Sequence, residues 1–173
     1  MPPVLPVAVA ALACVALAGP ARAGATPTTF TVVAGELSIS VPASTEVLAV
    51  TTSGRGTASM SLGDVTVTDA RGALAASWTT QVSATSFTTG GASPDETVPT
   101  RSISYSSGAG HAARGQVGAM VPSVGVDLAT PRTAASWGGV GSDTVTWEPR
   151  LTFALSDTQL AGTYRGTVTH SVS

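Results

Sequence analysis

From residue 37 to the end of the chain, apolar residues recur at every second position, and the three-and-four spacing of a helix does not appear. Leu37-Ser38-Ile39-Ser40-Val41 sets three aliphatic side chains on one face and two serines on the other, and Pro42 ends the run. Val65-Thr66-Val67-Thr68 repeats the pattern. Asp69-Ala70-Arg71-Gly72 then has the composition of a turn, because an aspartate bonds its own backbone and a glycine accepts positive φ. Trp78, Thr80, Val82 and Ala84 share one face of the next run, which closes at Phe87. Ile103 and Tyr105 alternate in a shorter piece. Val145 and Trp147 precede Pro149, and Leu151, Phe153 and Leu155 follow it. The last run aligns Tyr164, Gly166, Val168, His170 and Val172.

Weaker patterning adds strands at 46–51 and 57–62, while Pro122 and Gly125 leave 117–128 undecided between strand and loop. About eight or nine short strands, with turn residues roughly every ten positions, specify an all-β antiparallel sandwich. The second face of each run is rich in Thr and Ser, which suits a sheet wet on its outer side. A slip of one residue would turn the apolar set outward, so the alternation also fixes register. Three glycine- and proline-punctuated stretches, 88–100, 106–116 and 130–143, are expected as long loops.

The N-terminus carries an export signal. Residues 4–18 are apolar apart from Pro6, too short for a membrane span of about 20 residues. Gly19-Pro20 breaks the run, and Ala21-Arg22-Ala23 offers the small residues that signal peptidase requires, so cleavage is expected after Ala23. Residues 24–173 then form a single domain, with no transmembrane segment in the mature chain, long enough to bury roughly 70% of its unfolded surface. Cys14 is the lone cysteine and lies in the leader. Ala11 stands where a lipoprotein signal wants leucine, so lipid attachment is not expected, and export without a disulfide is allowed at this size.

Charge restricts function more than it restricts fold. Charged residues make up 10% of the chain, against about 25% in ordinary soluble proteins. All eight basic residues are arginine and the net charge is −2, so no basic stripe exists to neutralise a phosphate backbone, and nucleic-acid binding is excluded. A hydrophobic content of 43% is likewise too high for a disordered linker.

Reactive chemistry finds little to work with. A serine triad needs a histidine base, and His111 and His170, the two histidines, lie outside any Gly-x-Ser-x-Gly elbow. Two histidines and no mature cysteine make no zinc centre, and the acids form no EF-hand loop, so neither metal nor cofactor is expected. Asp64, Asp69, Asp95, Glu96, Asp127 and Glu148 are acids without the spacing of a glycosidase pair. The tryptophans are the better candidates. Trp78 and Trp147 alternate with aliphatics and read as core. Trp137, between Ala-Ala-Ser and Gly-Gly, reads as an exposed loop residue able to contact a partner. Trp78, Trp137 and His170 are accordingly the candidate binding residues, and Asp69, Arg71 and Gly72 a turn motif.

Asp69-Ala70-Arg71-Gly72, then Trp78 opening an alternating run, then Ser83-Ala84-Thr85-Ser86-Phe87, resembles the first half of a WxL domain. Ala161-Gly162-Thr163-Tyr164, followed by Thr167-Val168-Thr169-His170-Ser171-Val172, is similar to that domain's terminal strand. The resemblance implies a secreted Gram-positive surface protein held non-covalently on peptidoglycan, often beside other surface proteins. It makes Trp78 the first signature tryptophan, with Thr80 in the place of leucine. At the second signature His170 stands for tryptophan and Val172 for leucine.

The expectation is therefore a secreted, non-enzymatic cell-surface protein that binds peptidoglycan, another envelope component or a surface protein. The alternative is a structural subunit that pairs with its neighbours through a strand edge, since the chain has no lysine to blunt one.

Overall fold

Two long antiparallel strands form the centre of the larger sheet, and the rest of that sheet is arranged on them. The computed structural model describes residues 29–43, 56–114 and 117–173. The export signal expected at 1–23, with Cys14, and the strand expected at 46–51 lie outside the described residues. The chain divides into two units, Met1–Val32 and Val33–Ser173. Within the first, residues 29–32 are described and are irregular, with Phe30 and Val32 exposed.

In Val33–Ser173 the strands are β1 (Leu37–Ser40), β2 (Gly56–Ser61), β3 (Val65–Ala84), β4 (Phe87–Thr88), β5 (Thr97–Val98) and β6 (Ile103–Ser106). They continue as β7 (Gly110–Arg114), β8 (Val117–Pro122), β9 (Val126–Asp127), β10 (Arg132–Trp147), β11 (Arg150–Leu155) and β12 (Val168–Val172). Every pairing among them is antiparallel. β3 and β10 are the centre of a six-stranded sheet in which β1 and β12 share the far edge of β3, and β7 and β8 share that of β10. A second sheet runs β2-β11-β6-β9, and β4 pairs with β5. This is the all-β antiparallel sandwich that the alternation specifies.

Three local expectations are corrected. The stretch 130–143 is not a loop: it lies almost wholly in β10, because its backbone pairs with β3 on one side and β8 on the other in the middle of the sheet. The stretch 106–116 contains β7, which pairs with the second half of β10. Asp69-Ala70-Arg71-Gly72 does not end a strand but sits inside the 20-residue β3 as an irregularity. At the C-terminus, β12 starts at Val168, and Tyr164 and Gly166 precede it.

The irregularity bends the sheet. Asp143 faces Asp69 and Gly141 faces Ala73, so Ser142 alone answers three residues of β3; Val140 similarly answers both Leu74 and Ala75. Extra residues on one strand increase its twist and bend it. Gly72 and Gly141, at φ +65° and +84°, take the left-handed conformations that this needs. The consequence is visible in the tryptophans. Trp137 and Trp147 are ten residues apart on β10, about 33 Å along a straight strand. Both nevertheless stack on Trp78, at centroid distances of 6.3 Å and 6.1 Å. The sheet has folded back over itself with the indoles between its halves.

Val65, Val67, Trp78, Ala135, Trp137, Val145 and Trp147 form the buried cluster at this fold, flanked by Leu37, Ile39, Met120 and Val172. A second cluster lies where the four-stranded sheet meets the far end of β3 and includes Val82, Phe87, Ile103, Tyr105, Leu151 and Phe153. The Phe87 and Phe153 rings meet edge to face at 5.1 Å.

Candidate functional site

Most of the residues that the sequence nominates converge on the fold in the sheet. Trp78 and Trp137 are directly opposed across β3 and β10, with rings 12° from parallel. They are 2% and 6% exposed. Trp137 is thus buried rather than offered to a partner. The glycines around it admit the neighbouring backbones: a Cβ on Gly118 would overlap the Trp137 ring and lie 2.7 Å from the Gly138 carbonyl oxygen.

Asp143, which the sequence reading passed over, sits at the centre. It is buried directly across from Asp69, which is also buried. Asp143 Oδ1 accepts a hydrogen bond from Trp78 Nε1 at 3.3 Å. Its Oδ2 and the buried Trp137 Nε1 have no hydrogen-bond partner. The Trp137 N–H is near enough to favour the charged carboxylate without being aligned for a bond. Desolvation nonetheless outweighs these donors and raises the Asp143 pKa, with the charge on Asp69 adding to the effect.

Asp69 is shifted in the opposite direction. Arg71 grips it with Nε to Oδ1 at 2.8 Å and Nη2 to Oδ2 at 2.7 Å, while the Arg71 amide donates to Oδ1 at 3.0 Å. These bonds hold the Asp69 carboxyl below its ordinary value despite burial. Arg71 Nη2 also donates to the Ser77 carbonyl at 2.8 Å, so one guanidinium spans the irregular segment of β3. The pKa values of two facing carboxylates are thereby shifted in opposite directions, a pattern that acid–base enzymes use. Here both are buried. The shallow depression of roughly 430 Å³ in this structure lies elsewhere, along Val121, Pro122, Val126, Pro131 and Arg132.

His170 enters from the other side. It faces Val82 across β12 and β3, and Val172 faces Thr80. The two segments that carry the WxL-like pattern therefore lie side by side. Tyr105 reaches in from β6, accepting from Trp147 Nε1 at 3.3 Å and meeting His170 Nε2 at 3.1 Å. Burial lowers the His170 pKa to about 4 and raises that of Tyr105 to about 12. At neutral pH the imidazole is therefore uncharged, and Nε2 is the acceptor within reach of the Tyr105 hydroxyl, which assigns the ring proton to Nδ1. Arg71 and Asp69 face Asp143 across the two strands, and from Asp143 polar contacts and a stacked ring pair run through Trp78, Trp147 and Tyr105 to His170.

The remaining acids serve loops. Glu96 Oε2 accepts from the Gly91 and Ser93 amides at 3.1 Å each, and Asp95 accepts from the Thr158 hydroxyl at 2.6 Å. Asp64 meets the exposed His111 at 3.4 Å. Among the described residues, no three His, Cys, Asp or Glu side chains gather as metal ligands.

The sequence contained a signal for Asp143: it shares the inward phase of Val145 and Trp147, as Asp69 shares that of Val65 and Val67. A carboxylate in an inward phase must be paired or neutralised. Tyr105 gave no such signal, because its partners come from two other strands. Comparison with protein-family models, with curated proteins and with solved structures finds no match.

Proposed function

We propose that this protein is an exported, non-enzymatic β-sandwich that attaches without covalent bonds to the cell envelope, through peptidoglycan or a surface protein. One observation carries the reading. The side chains with chemical capacity, Trp78, Trp137, Asp69, Asp143 and His170, are turned into the core and engaged with one another there. The outward face of the β12–β3 pair, by contrast, is a flat field of hydroxyls and an amide: Thr79, Gln81 and Ser83 beside Thr169 and Ser171. Such a face suits hydrogen bonding to a polar glycan, and it replaces the tryptophans as the contact surface. The leader and the WxL-like segments support the location.

The test is sedimentation of the exported protein with purified cell walls at moderate salt. It is expected in the pellet, and Thr169→Glu with Ser171→Glu is expected to shift it toward the supernatant. Wild-type protein that stays in solution at every wall concentration ends the proposal.

A further inference from the structure

We infer that β8 is a homodimerisation edge, joining a second copy of this chain across a two-fold axis at Met120. β8 lies at the margin of the six-stranded sheet and pairs with β10 in unbroken register from Ala135–Pro122 to Val140–Val117. The Ser123 amide donates to the Ala134 carbonyl. By strand alternation, the amides of Val121, Ala119 and Val117 also turn toward β10, and those of Gly118 and Met120 turn outward. Pro122 falls in the outward phase, where its missing N–H leaves the ladder intact. No strand among the described residues covers this outward side.

Apart from Pro122 at its end, the edge lacks the usual protections. Val117-Gly118-Ala119-Met120-Val121-Pro122 has no ionisable side chain and no bulge, and charges and bulges are what keep edges apart. Other margins differ: β7 carries His111 and Arg114, and β12 exposes Thr169 and Ser171. Exposed aliphatics gather around β8, with Val121 64%, Val124 79% and Val140 48% exposed. A second copy is the partner of matching chemistry. An uncharged edge meets its own image without like-charge repulsion, and an antiparallel pairing of one strand with itself is closed by a two-fold axis.

The outward groups fix the register. Met120 opposes Met120 of the second copy, exchanging two N–H to carbonyl bonds. Gly118 opposes Pro122 of the second copy, giving one bond at each end because proline cannot return it. About four backbone hydrogen bonds result, and the two six-stranded sheets become continuous. On the outer face, Ala119 comes directly opposite Val121 of the second copy. This inference is independent of wall attachment: a wall-bound monomer overturns it and leaves the envelope proposal standing, and a dimer that ignores walls does the reverse.

The experiment is sedimentation velocity of the exported protein from about 1 to about 100 µM, with circular dichroism to confirm that each variant keeps its strands. Wild type is expected to pass from monomer to dimer in this range. Ala119→Lys with Val121→Lys sets like charges opposite each other in the proposed register and is expected to weaken the dimer by about tenfold or more. Ala119→Lys with Val121→Asp sets opposite charges there and is expected to bring the dissociation constant back to within about threefold of wild type. Both positions are exposed, so the fold is retained. A wild type that stays monomeric at the highest concentration overturns the inference. So does a double-lysine variant that dimerises undiminished, or a lysine–aspartate variant no tighter than the double lysine.

Discussion

Replacing each stacked tryptophan by phenylalanine separates three roles that similar burial conceals. Every such change removes a comparable volume from a packed interior, a loss of about 1–2 kcal/mol from burial and stacking. The differences lie in the N–H. At Trp78 the indole donates to Asp143 Oδ1, the one hydrogen bond found on that carboxylate. Trp78→Phe strands a buried acid, adding about 1–3 kcal/mol. At Trp147 the indole donates to Tyr105, a bond contributing about 1 kcal/mol that the hydroxyl partly recovers through His170. At Trp137 the buried indole nitrogen has no partner. Trp137→Phe deletes a desolvated donor that favours the Asp143 carboxylate less than Trp78 does, which offsets part of the packing loss. The expected order of destabilisation is therefore Trp78, then Trp147, then Trp137, with about 2 kcal/mol between first and last. With a urea m-value near 2 kcal/mol/M, that gap is about 1 M in the unfolding midpoint. The difference between Trp78→Phe and wild type also depends on pH. A carboxyl with a raised folded-state pKa contributes stability below its unfolded value, and this is lost as pH rises through the folded value. Without its donor, Asp143 rises further, so the gap is largest at neutral pH and narrows toward pH 4. Equal midpoints for the Trp78 and Trp137 variants, or a gap that is constant with pH, would refute the assignment.

Two further outcomes test neighbouring parts of the structure. His170 has a folded-state pKa of about 4 against an ordinary 6.5. The unfolded chain therefore binds the proton first, and stability falls as pH drops through that window by at most about 3 kcal/mol, less for the exposed part of the ring. Urea midpoints measured from pH 7 to pH 4 should show this slope, and His170→Gln should flatten it; a variant with the wild-type slope places the titrating group elsewhere. Gly118→Ala drives a methyl into the Trp137 ring and the backbone of Gly138 and Gly139. It should cost about 1–3 kcal/mol and shift tryptophan emission, and an unchanged midpoint would mean that β8 can move away freely.

The alternation carried the fold because inward and outward phases survive in most strands. Ile103 and Tyr105, Leu151 and Phe153, and Val168, His170 and Val172 all face as their spacing requires. It failed where small residues erase the contrast. Ser136-Trp137-Gly138-Gly139-Val140-Gly141 has no polar–apolar rhythm, and its glycines resemble loop punctuation. In the structure Gly141 takes a positive φ, and the glycine crowded by the Trp137 ring is Gly118 on the paired strand β8, a tertiary requirement that no local pattern expresses. Asp69 to Gly72 misled for a related reason. The local chemistry was right, since Asp69 accepts from the Arg71 amide and Gly72 has positive φ. That chemistry serves a bend inside a strand as well as a turn between strands, and only the continuing partner β10 distinguishes the two.

The same gap in the pattern explains why a chain so poor in charge buries two aspartates. Alternation sets register by penalising a slip, but across Asp69–Ala76 opposite Gly139–Asp143 the two strands carry unequal numbers of residues, and glycine and alanine make neighbouring registers nearly equal in apolar burial. Hydrophobic matching therefore cannot select the bend. Polar groups can. Moving Asp143 by one position turns it from the Trp78 indole to the opposite face, and straightening β3 opens the Asp69–Arg71 grip that also reaches Ser77. Each loss leaves a buried polar group unpaired, a penalty of about 1–3 kcal/mol that the alternative register has nothing to offset. The carboxylates need not add net stability to do this; buried charges are often neutral in that respect and act on which structure forms. The bend they select is the one that stacks three tryptophans and leaves a hydroxyl-covered exterior, so under the proposed envelope attachment the acids act through the fold.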